Sequence, residues 1–203
     1  MSLIHLPQLR RATHDLHEKL ETLPALKRLL HPSLSLQEYR DFLQCFFQLH
    51  LQLEKQIYPY FCHLTPDEFH WEHFMASPRL AKDLIHLCQP LPQPDETKIP
   101  TLTTSLPEAL GCCYVLLGSG FGARQIAPLL RKHLGELVPL SFYEEGQPYL
   151  KRLWHQLEKL LSIYSSAQSE QQQTQTAAQN TFQLFHHRLS QLSQSSQYEA
   201  LPQ

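Results

Sequence analysis

The chain has 203 residues, of which 42% are hydrophobic and 18% charged, and its formal net charge is -2. This length and apolar share suit one domain with its own core. Because 17 Lys and Arg residues nearly balance 19 Asp and Glu residues, the composition predicts no broad basic surface for nucleic acid or an anionic membrane. Only 6 residues are glycine, which argues against β sandwiches and barrels with many tight turns.

Three helix-start signals stand in the first third of the chain. Pro7 opens a helix with a stripe of leucines. Ser35 and Glu38 form a capping box, after which apolar residues keep helical spacing to about Phe61. The 65–68 segment repeats the same signal and predicts another helix start. Because a proline and two arginines come before an apolar run could form, we expect no secretory leader in this region.

The middle of the chain has a helix, a proline-rich loop and a second long helix. Pro78 begins the first helix, and four prolines between residues 90 and 100 predict a surface loop. Ser105 and Glu108 predict a third capping box, which begins an apolar helix toward His133. No segment approaches the roughly 20 apolar residues of a membrane-spanning helix.

The last third predicts two further helices and a disordered end. The helices fall at about 148–164 and 177–192, with a Ser- and Gln-rich stretch between them that suits a loop or a polar helix start. We therefore predict an all-α, single-domain bundle of about seven to nine helices over residues 1–190. Residues 191–203 are expected to form a disordered tail. Five cysteines without a C-x-x-C motif fit reduced thiols and a cytoplasmic protein.

The first helix carries a polar stripe beside its leucines. Arg10, His14, His17 and Glu21 fall on one face because their spacing follows the helical repeat. A neutral imidazole on this face can ligate heme iron, and a nearby cation can hold a heme propionate. An ordinary solvated face explains the same stripe.

Three glycines interrupt the long apolar helix. Gly118, Gly120 and Gly122 each cost about 0.5–1 kcal/mol relative to alanine inside a helix. Gly118 and Gly122 share a face, which lets another helix or a flat ligand approach the backbone. The pattern alone leaves close helix packing and ligand approach open.

These two segments together resemble a known family. The 9–21 segment is similar to the proximal helix of heme oxygenases, and the 114–122 segment to their distal helix, closest to bacterial forms associated with bacteriophytochromes. The 142–146 stretch followed by Trp154 resembles the same bacterial branch, and the 177–182 segment resembles the last helix of the family. The resemblance implies the all-α fold of that family.

The resemblance also implies roles for residues around a bound heme. It makes His17 the proximal iron ligand and places Thr13 and Glu21 beside it. Basic positions toward the propionates fall on Arg10 and Lys151. The implied cofactor-binding residues on these helices are Arg10, Thr13, His17, Glu21, Lys151 and His155.

On the distal side, the resemblance makes Gly118 and Gly122 the glycines whose backbone lies over the heme face and leaves room for O2. Ser119 stands where mammalian-type members have an aspartate that orders a proton-delivering water network, and a serine hydroxyl can relay a proton. Ala123 replaces a usual glycine, and Gly120 is an extra one.

The implied activity is oxidative cleavage of heme to biliverdin, CO and ferrous iron, with heme as cofactor and substrate. It requires O2 and an external electron donor, such as a reductase or ferredoxin. A bacteriophytochrome is a possible acceptor of the biliverdin, and neither nucleic acid nor a membrane is an expected partner.

Two other functions remain open on the same fold. A heme-binding protein without turnover is consistent with the departures at Ser119, Ala123 and His155. A non-heme di-iron oxidase needs inward carboxylates and histidines. The candidates for that site are Asp67 with His70, Asp83 with His86, and Glu54.

Overall fold

The computed structural model describes residues 5–92 and 99–194, and this part of the chain contains nine helices and no strands. The all-α prediction is confirmed. The helices are α1 (His5–Glu21), α2 (Pro24–Leu29), α3 (Leu36–Phe61), α4 (Trp71–Phe74), α5 (Ser77–His86), α6 (Leu106–Leu134), α7 (Ser141–Glu144), α8 (Gln147–Tyr164) and α9 (Gln168–Gln194).

Helix α6 lies at the centre of the bundle and packs against α3, α7, α8 and α9. Its first half is buried, including Leu110, Cys112 and Cys113. The prediction that no segment approaches a membrane-spanning helix is wrong by length and hydropathy alone, because α6 meets both criteria, but half of its most apolar window is buried against the other helices. The apolar character of α6 is therefore explained by its place in the core.

The capping box predicted before α3 is present. Glu38 accepts a hydrogen bond from the Ser35 backbone at 2.7 Å, and the Glu38 amide donates to Ser35 Oγ at 3.2 Å. Arg28 Nε also donates to Glu38 at 2.6 Å, which ties α2 to the start of α3. Such caps stabilise a helix start by about 1 kcal/mol.

Two predicted helix starts differ from the structure. Before α6, the Ser105 hydroxyl accepts from the Glu108 amide as predicted, but the Glu108 carboxylate accepts from the backbone and hydroxyl of Thr104 instead. At Thr65, the carboxylate of Glu68 closes the same kind of ring, yet the chain forms a turn and no helix. A capping pair satisfies only local donors and does not supply the apolar face that sustains a helix.

The helix at the C-terminal end is longer than the sequence predicts. Helix α9 begins at Gln168, so the polar stretch is a helix start, and it continues to Gln194. Residues 191–194 are thus helical, whereas the remainder of the predicted tail lies outside the described residues, as do residues 93–98 of the proline-rich loop.

Two of the five cysteines are exposed, one is partly buried and two are buried. Burial raises the pKa of the Cys45 and Cys112 thiols to about 11 and that of Cys113 well above its usual value, whereas Cys62 and Cys88 are exposed. Since the thiolate is the reactive form, we expect a thiol reagent at about pH 8 to label Cys62 and Cys88 quickly. Denaturant should release the other three, and mass spectrometry of the labelled peptides would identify them. Rapid labelling of Cys113 would contradict this packing.

Candidate functional site

A crevice with a volume of about 630 Å³ opens between α1 and α6, and we call it the outer crevice. Its size suits a medium-sized organic ligand. The stripe predicted on α1 and Gly118 of α6 face it together. The lining residues are Arg10, Thr13, His14, His17, Glu18, Leu20, Glu21, Phe46, Tyr114, Val115, Gly118, Ser119, Phe121, Trp154, Phe182 and Phe185.

His17 has the geometry of an available ligand on the α1 side of the crevice. Its side chain is 55% exposed, and the Phe182 ring contacts the imidazole edge-on at 5.8 Å between centroids. Nδ1 lies 3.5 Å from Glu21 Oε1. Because the carboxylate faces Nδ1, Nε2 is the nitrogen left to bind a metal. His14 instead faces Glu18 with its other ring nitrogen, Nε2, at 3.3 Å.

The other predicted α1 residues have distinct positions. Arg10 is exposed where it lines the crevice, so it can meet an anionic group there. Thr13 is buried, and its hydroxyl donates to the Leu9 carbonyl at 2.9 Å, so it shapes the wall of the crevice.

Two predicted residues of α8 do not line the outer crevice. Lys151 and His155 are both exposed, and His155 Nδ1 lies 3.6 Å from Glu158. Helix α8 instead presents Trp154 to the outer crevice. His155, the next residue along, points to a different side of α8 because successive side chains are rotated around the helix axis.

The structure separates packing glycines from cavity glycines. A Cβ on Gly111 would overlap the Thr174 carbonyl oxygen of α9, and one on Gly120 would lie 3.1 Å from Leu150 of α8. A Cβ on Gly118 would make only an ordinary contact with Trp154 at 4.0 Å, and one on Gly122 would meet nothing within 4 Å. Helix packing therefore explains Gly111 and the extra Gly120, but not Gly118 or Gly122.

A second cavity, the inner chamber, extends from the outer crevice into the bundle with a volume of about 230 Å³. Gly118, Ser119 and His17 line both cavities, whereas Gly122 and the buried Ala123 line only the inner chamber. The chamber is mostly apolar near α6. The polar residues that line it from helices other than α1 and α6 are His50, Glu54, His73, Arg79, Tyr143 and Gln147.

His50 is the most deeply buried imidazole of the chamber. It is 2% exposed, and its ring lies within 5.5–5.9 Å of the Phe46, Phe142 and Phe185 rings, measured between centroids. Neither ring nitrogen has a hydrogen-bond partner. The sequence pattern did not single out His50, although a histidine within the apolar stripe of α3 was the available signal.

Other polar atoms around the chamber also lack partners. They include the Tyr143 hydroxyl, Arg79 Nε and His73 Nδ1. Burial raises the pKa of Tyr143, and it lowers the pKa of His73, so both groups favour their neutral forms. The chamber therefore has polar groups that a bound molecule can satisfy.

Ser119 is placed at the junction of the two cavities, but its hydroxyl proton is engaged. Ser119 Oγ donates to the Leu116 carbonyl at 2.7 Å. In this conformation the oxygen can still accept a hydrogen bond, whereas it has no proton to offer a ligand.

The carboxylates predicted for a di-iron site either accept hydrogen bonds from backbone amides or are exposed to solvent. Glu54 accepts hydrogen bonds at the start of α5, and buried Asp83 accepts from the Ser141 and Phe142 amides at 2.8 and 2.9 Å. Asp67 is almost fully exposed. Across the described residues no group of three or more His, Cys, Asp or Glu side chains could hold a metal ion. This arrangement gives the di-iron alternative no support.

Comparison of folds finds solved structures of the same architecture. The chain is similar to heme oxygenase from Leptospira interrogans, with a TM-score of 0.73, 18% identity, and coverage of 94% of this chain and 100% of that one. It is also similar to heme oxygenase-1 from the cyanobacterium Synechocystis in complex with heme, with a TM-score of 0.71, 16% identity, and coverage of 92% of this chain and 90% of that one. For the NO- and CO-bound heme oxygenase from Neisseria meningitidis the TM-score is 0.70 and the identity 17%, and the match covers 92% of this chain and 90% of that one.

At these identities the structural matches establish the shared fold alone. A sequence search of curated proteins finds no match. The family assignment comes from the sequence model of heme oxygenases, which matches residues 5–191. Because that match spans nearly the whole chain, the chain belongs to the heme oxygenase family.

Proposed function

We propose that the chain binds heme in the outer crevice and cleaves it to biliverdin, CO and ferrous iron. One observation carries this proposal: the His17 imidazole of α1 and Gly118 of α6, whose missing side chain no packing contact explains, line the same crevice of about 630 Å³. When bound, heme supplies the oxidising chemistry together with the ring that is cleaved. The crevice therefore has the donor and the space that this cofactor needs.

On the α1 side, His17 binds the iron through Nε2, and Glu21 orients the imidazole through Nδ1. Arg10 attracts a propionate at the same wall. Lys151 and His155 remain proposed contacts for propionates that project beyond the mouth of the crevice. Thr13 supports the wall through its bond to the α1 backbone.

On the α6 side, Gly118 and Gly122 keep space over the ring for O2. Leu116 and Leu117, which line the inner chamber beside them, exclude bulk water from that space. Ser119 accepts a hydrogen bond from a molecule at the junction of the cavities.

The cellular setting is also a proposal. Electrons come from an external reductase or ferredoxin, and the protein acts in the cytoplasm of a bacterium. Biliverdin is then passed to a bacteriophytochrome, as the resemblance to that bacterial branch suggests.

The test is to mix the purified protein with hemin and then add ascorbate or a reductase in air. We expect a Soret band on hemin addition, followed by its loss and the rise of biliverdin absorbance. Chromatography of the extracted pigment identifies the product, and free hemin with the same reductant is the control. Stable heme after reduction in air would contradict the proposed activity.

A heme-binding protein without turnover is the second candidate, favoured by the bond from Ser119 to Leu116, which removes a proton donor beside Gly118. The same assay distinguishes the two functions. A carrier would show the Soret band and would release no biliverdin.

A further inference from the structure

Helix α8 packs directly on the glycine segment of α6 at the edge of both cavities. A Cβ on Gly120 would lie 3.1 Å from Leu150 Cδ1, and Leu150 is buried. One turn farther along α8, Trp154 lies 4.0 Å from the position of a Cβ on Gly118. The extra glycine of the sequence therefore lets the two helices approach closely at this point.

A polar contact accompanies this packing. Gln147 Nε2 donates a hydrogen bond to the Gly120 carbonyl oxygen at 2.8 Å. Because the acceptor is a carbonyl oxygen, only the amino group of the Gln147 amide can make this bond. Gln147 is the first residue of α8, and it lines the inner chamber. The bond thus ties one backbone atom of α6 to the start of α8.

The glycine segment of α6 needs an outside contact to hold its position. Each glycine weakens a helix relative to alanine, and α6 has three of them between residues 118 and 122. A Cβ on Gly122 would meet nothing within 4 Å, so packing does not support the segment on that side. A side chain that bonds to a helical carbonyl is also a recognised cause of helix bending. The Gln147 bond can therefore fix where this part of α6 lies.

We propose that Gln147 sets the position of the α6 backbone over the crevice and so limits the size of a molecule that binds between α6 and a heme held by His17. This inference rests on the proposed function. Gln147 does not line the outer crevice, so it is a positioning residue that acts through Gly120. The absence of a Cβ on Gly120 is what allows the amide to reach the carbonyl oxygen.

The first test uses the protein without heme. With only 6 glycines in the chain, carbon-13 labelling of glycine carbonyls gives a simple spectrum, and Gly120→Ala identifies the Gly120 signal by its loss. Gln147→Met keeps the length of the side chain and removes the donor. We expect the Gly120 signal to move in the direction of a weaker hydrogen bond. An unchanged signal would overturn the proposal.

Gln147→Glu tests the bond within a single variant. A neutral carboxyl group can donate to the Gly120 carbonyl oxygen, whereas a carboxylate cannot. We therefore expect the Gly120 signal to match that of Gln147→Met at about pH 8 and to return toward the wild-type position at about pH 4.5. A signal that stays the same at both values would contradict a bond at this atom.

Other groups around the chamber also titrate, so the wild type and Gln147→Met are recorded at the same pH values as baselines. The titratable side chains that line the chamber are His17, Glu21, His50, Glu54, His73 and Tyr143, and Arg79 lines it as a permanent cation.

The second test measures which ligands the ferric heme-loaded protein accepts. Azide is narrow, whereas the ring of imidazole needs more room between α6 and the heme. We expect Gln147→Met to bind imidazole roughly 3- to 10-fold more tightly, the equilibrium factor that one hydrogen bond is typically worth. Azide affinity should stay within about twofold of the wild type, because it already fits. Titrations followed by visible absorption measure both constants.

Gln156→Met is the matched control on the same helix. Gln156 Nε2 also donates to backbone carbonyl oxygens, those of Pro66 and Asp67 at 2.9 and 3.1 Å, but these precede α4 and do not belong to α6. We expect this variant to leave the Gly120 signal and the ligand preference unchanged. The same effects from both variants would indicate a general loosening of α8 and would overturn the specific role of Gln147.

The remaining outcomes also decide the proposal. Tighter imidazole binding with unchanged azide binding supports it. An equal change for both ligands indicates altered iron ligation, and no change for either shows that Gln147 does not limit the space; both overturn it. Failure of the wild type to release biliverdin is a separate result, because it contradicts the proposed function and leaves the carbon-13 prediction standing.

Discussion

Replacement of His17 by alanine is expected to remove the imidazole-ligated spectrum of the heme complex and nearly all turnover. The loss should exceed roughly 100-fold, because outer-shell partners of a ligand alone are worth about 10- to 100-fold. His17 is half-exposed and makes one aromatic contact, so its removal should leave folding intact. Absorption spectra of the ferric and ferrous protein with hemin, followed by the biliverdin assay, measure both effects.

His14→Ala is the matched control for this ligand. His14 lines the same crevice three residues earlier and has the same type of glutamate partner. We expect its loss to leave the spectrum unchanged. If His17→Ala keeps the wild-type spectrum and His14→Ala loses it, the assignment of the ligand is wrong.

Gly111→Ala is expected to destabilise the protein more than any other glycine-to-alanine change in α6. The new methyl group would meet the Thr174 carbonyl oxygen and lie 3.1 Å from Ala177 Cβ, and neither atom is the end of a flexible side chain. Overpacking of this kind costs about 1–3 kcal/mol, which the gain in helix propensity of about 1 kcal/mol offsets only in part. Urea unfolding of the apoprotein measures the net loss in free energy.

Gly122→Ala, in the same helix, is expected to stabilise the protein. Its methyl group would enter open space, so helix propensity alone should raise the free energy of unfolding by up to about 1 kcal/mol. Equal destabilisation by both changes would show that Gly122 also serves packing and that the division of the glycines is incorrect.

Much of the fold was predictable because its signals are local. The cap at Ser35 and the apolar spacing up to Phe61 give both ends of α3. Local signals were insufficient at Thr65, where the Glu68 carboxylate accepts from the Thr65 backbone and hydroxyl as it would beside a helix start, yet no helix follows. The helical start at Gln168 was equally ambiguous because glutamine-rich segments lack an apolar pattern.

The candidate site was only partly predictable. His17 and Gly118 were identified because each stands out within its own helix. The roles of Gly111 and Gly120 depend on which helix packs against them, and a single sequence does not contain that information. His50 was missed because its spacing matches the buried stripe of α3, while its unsatisfied nitrogens are visible only in three dimensions.

The open space beside Gly118 and Gly122 has a consequence for the amount of folded protein in a cell. No side chain closes the gap there, so under the proposed function heme would complete the apolar surface at the middle of α6. A ligand that binds only the native state adds about 2.7 kcal/mol of stability at a hundred times its dissociation constant. If the chain cleaves heme as we propose, heme supply would set how long the protein survives proteolysis, and the substrate would control the abundance of its own enzyme.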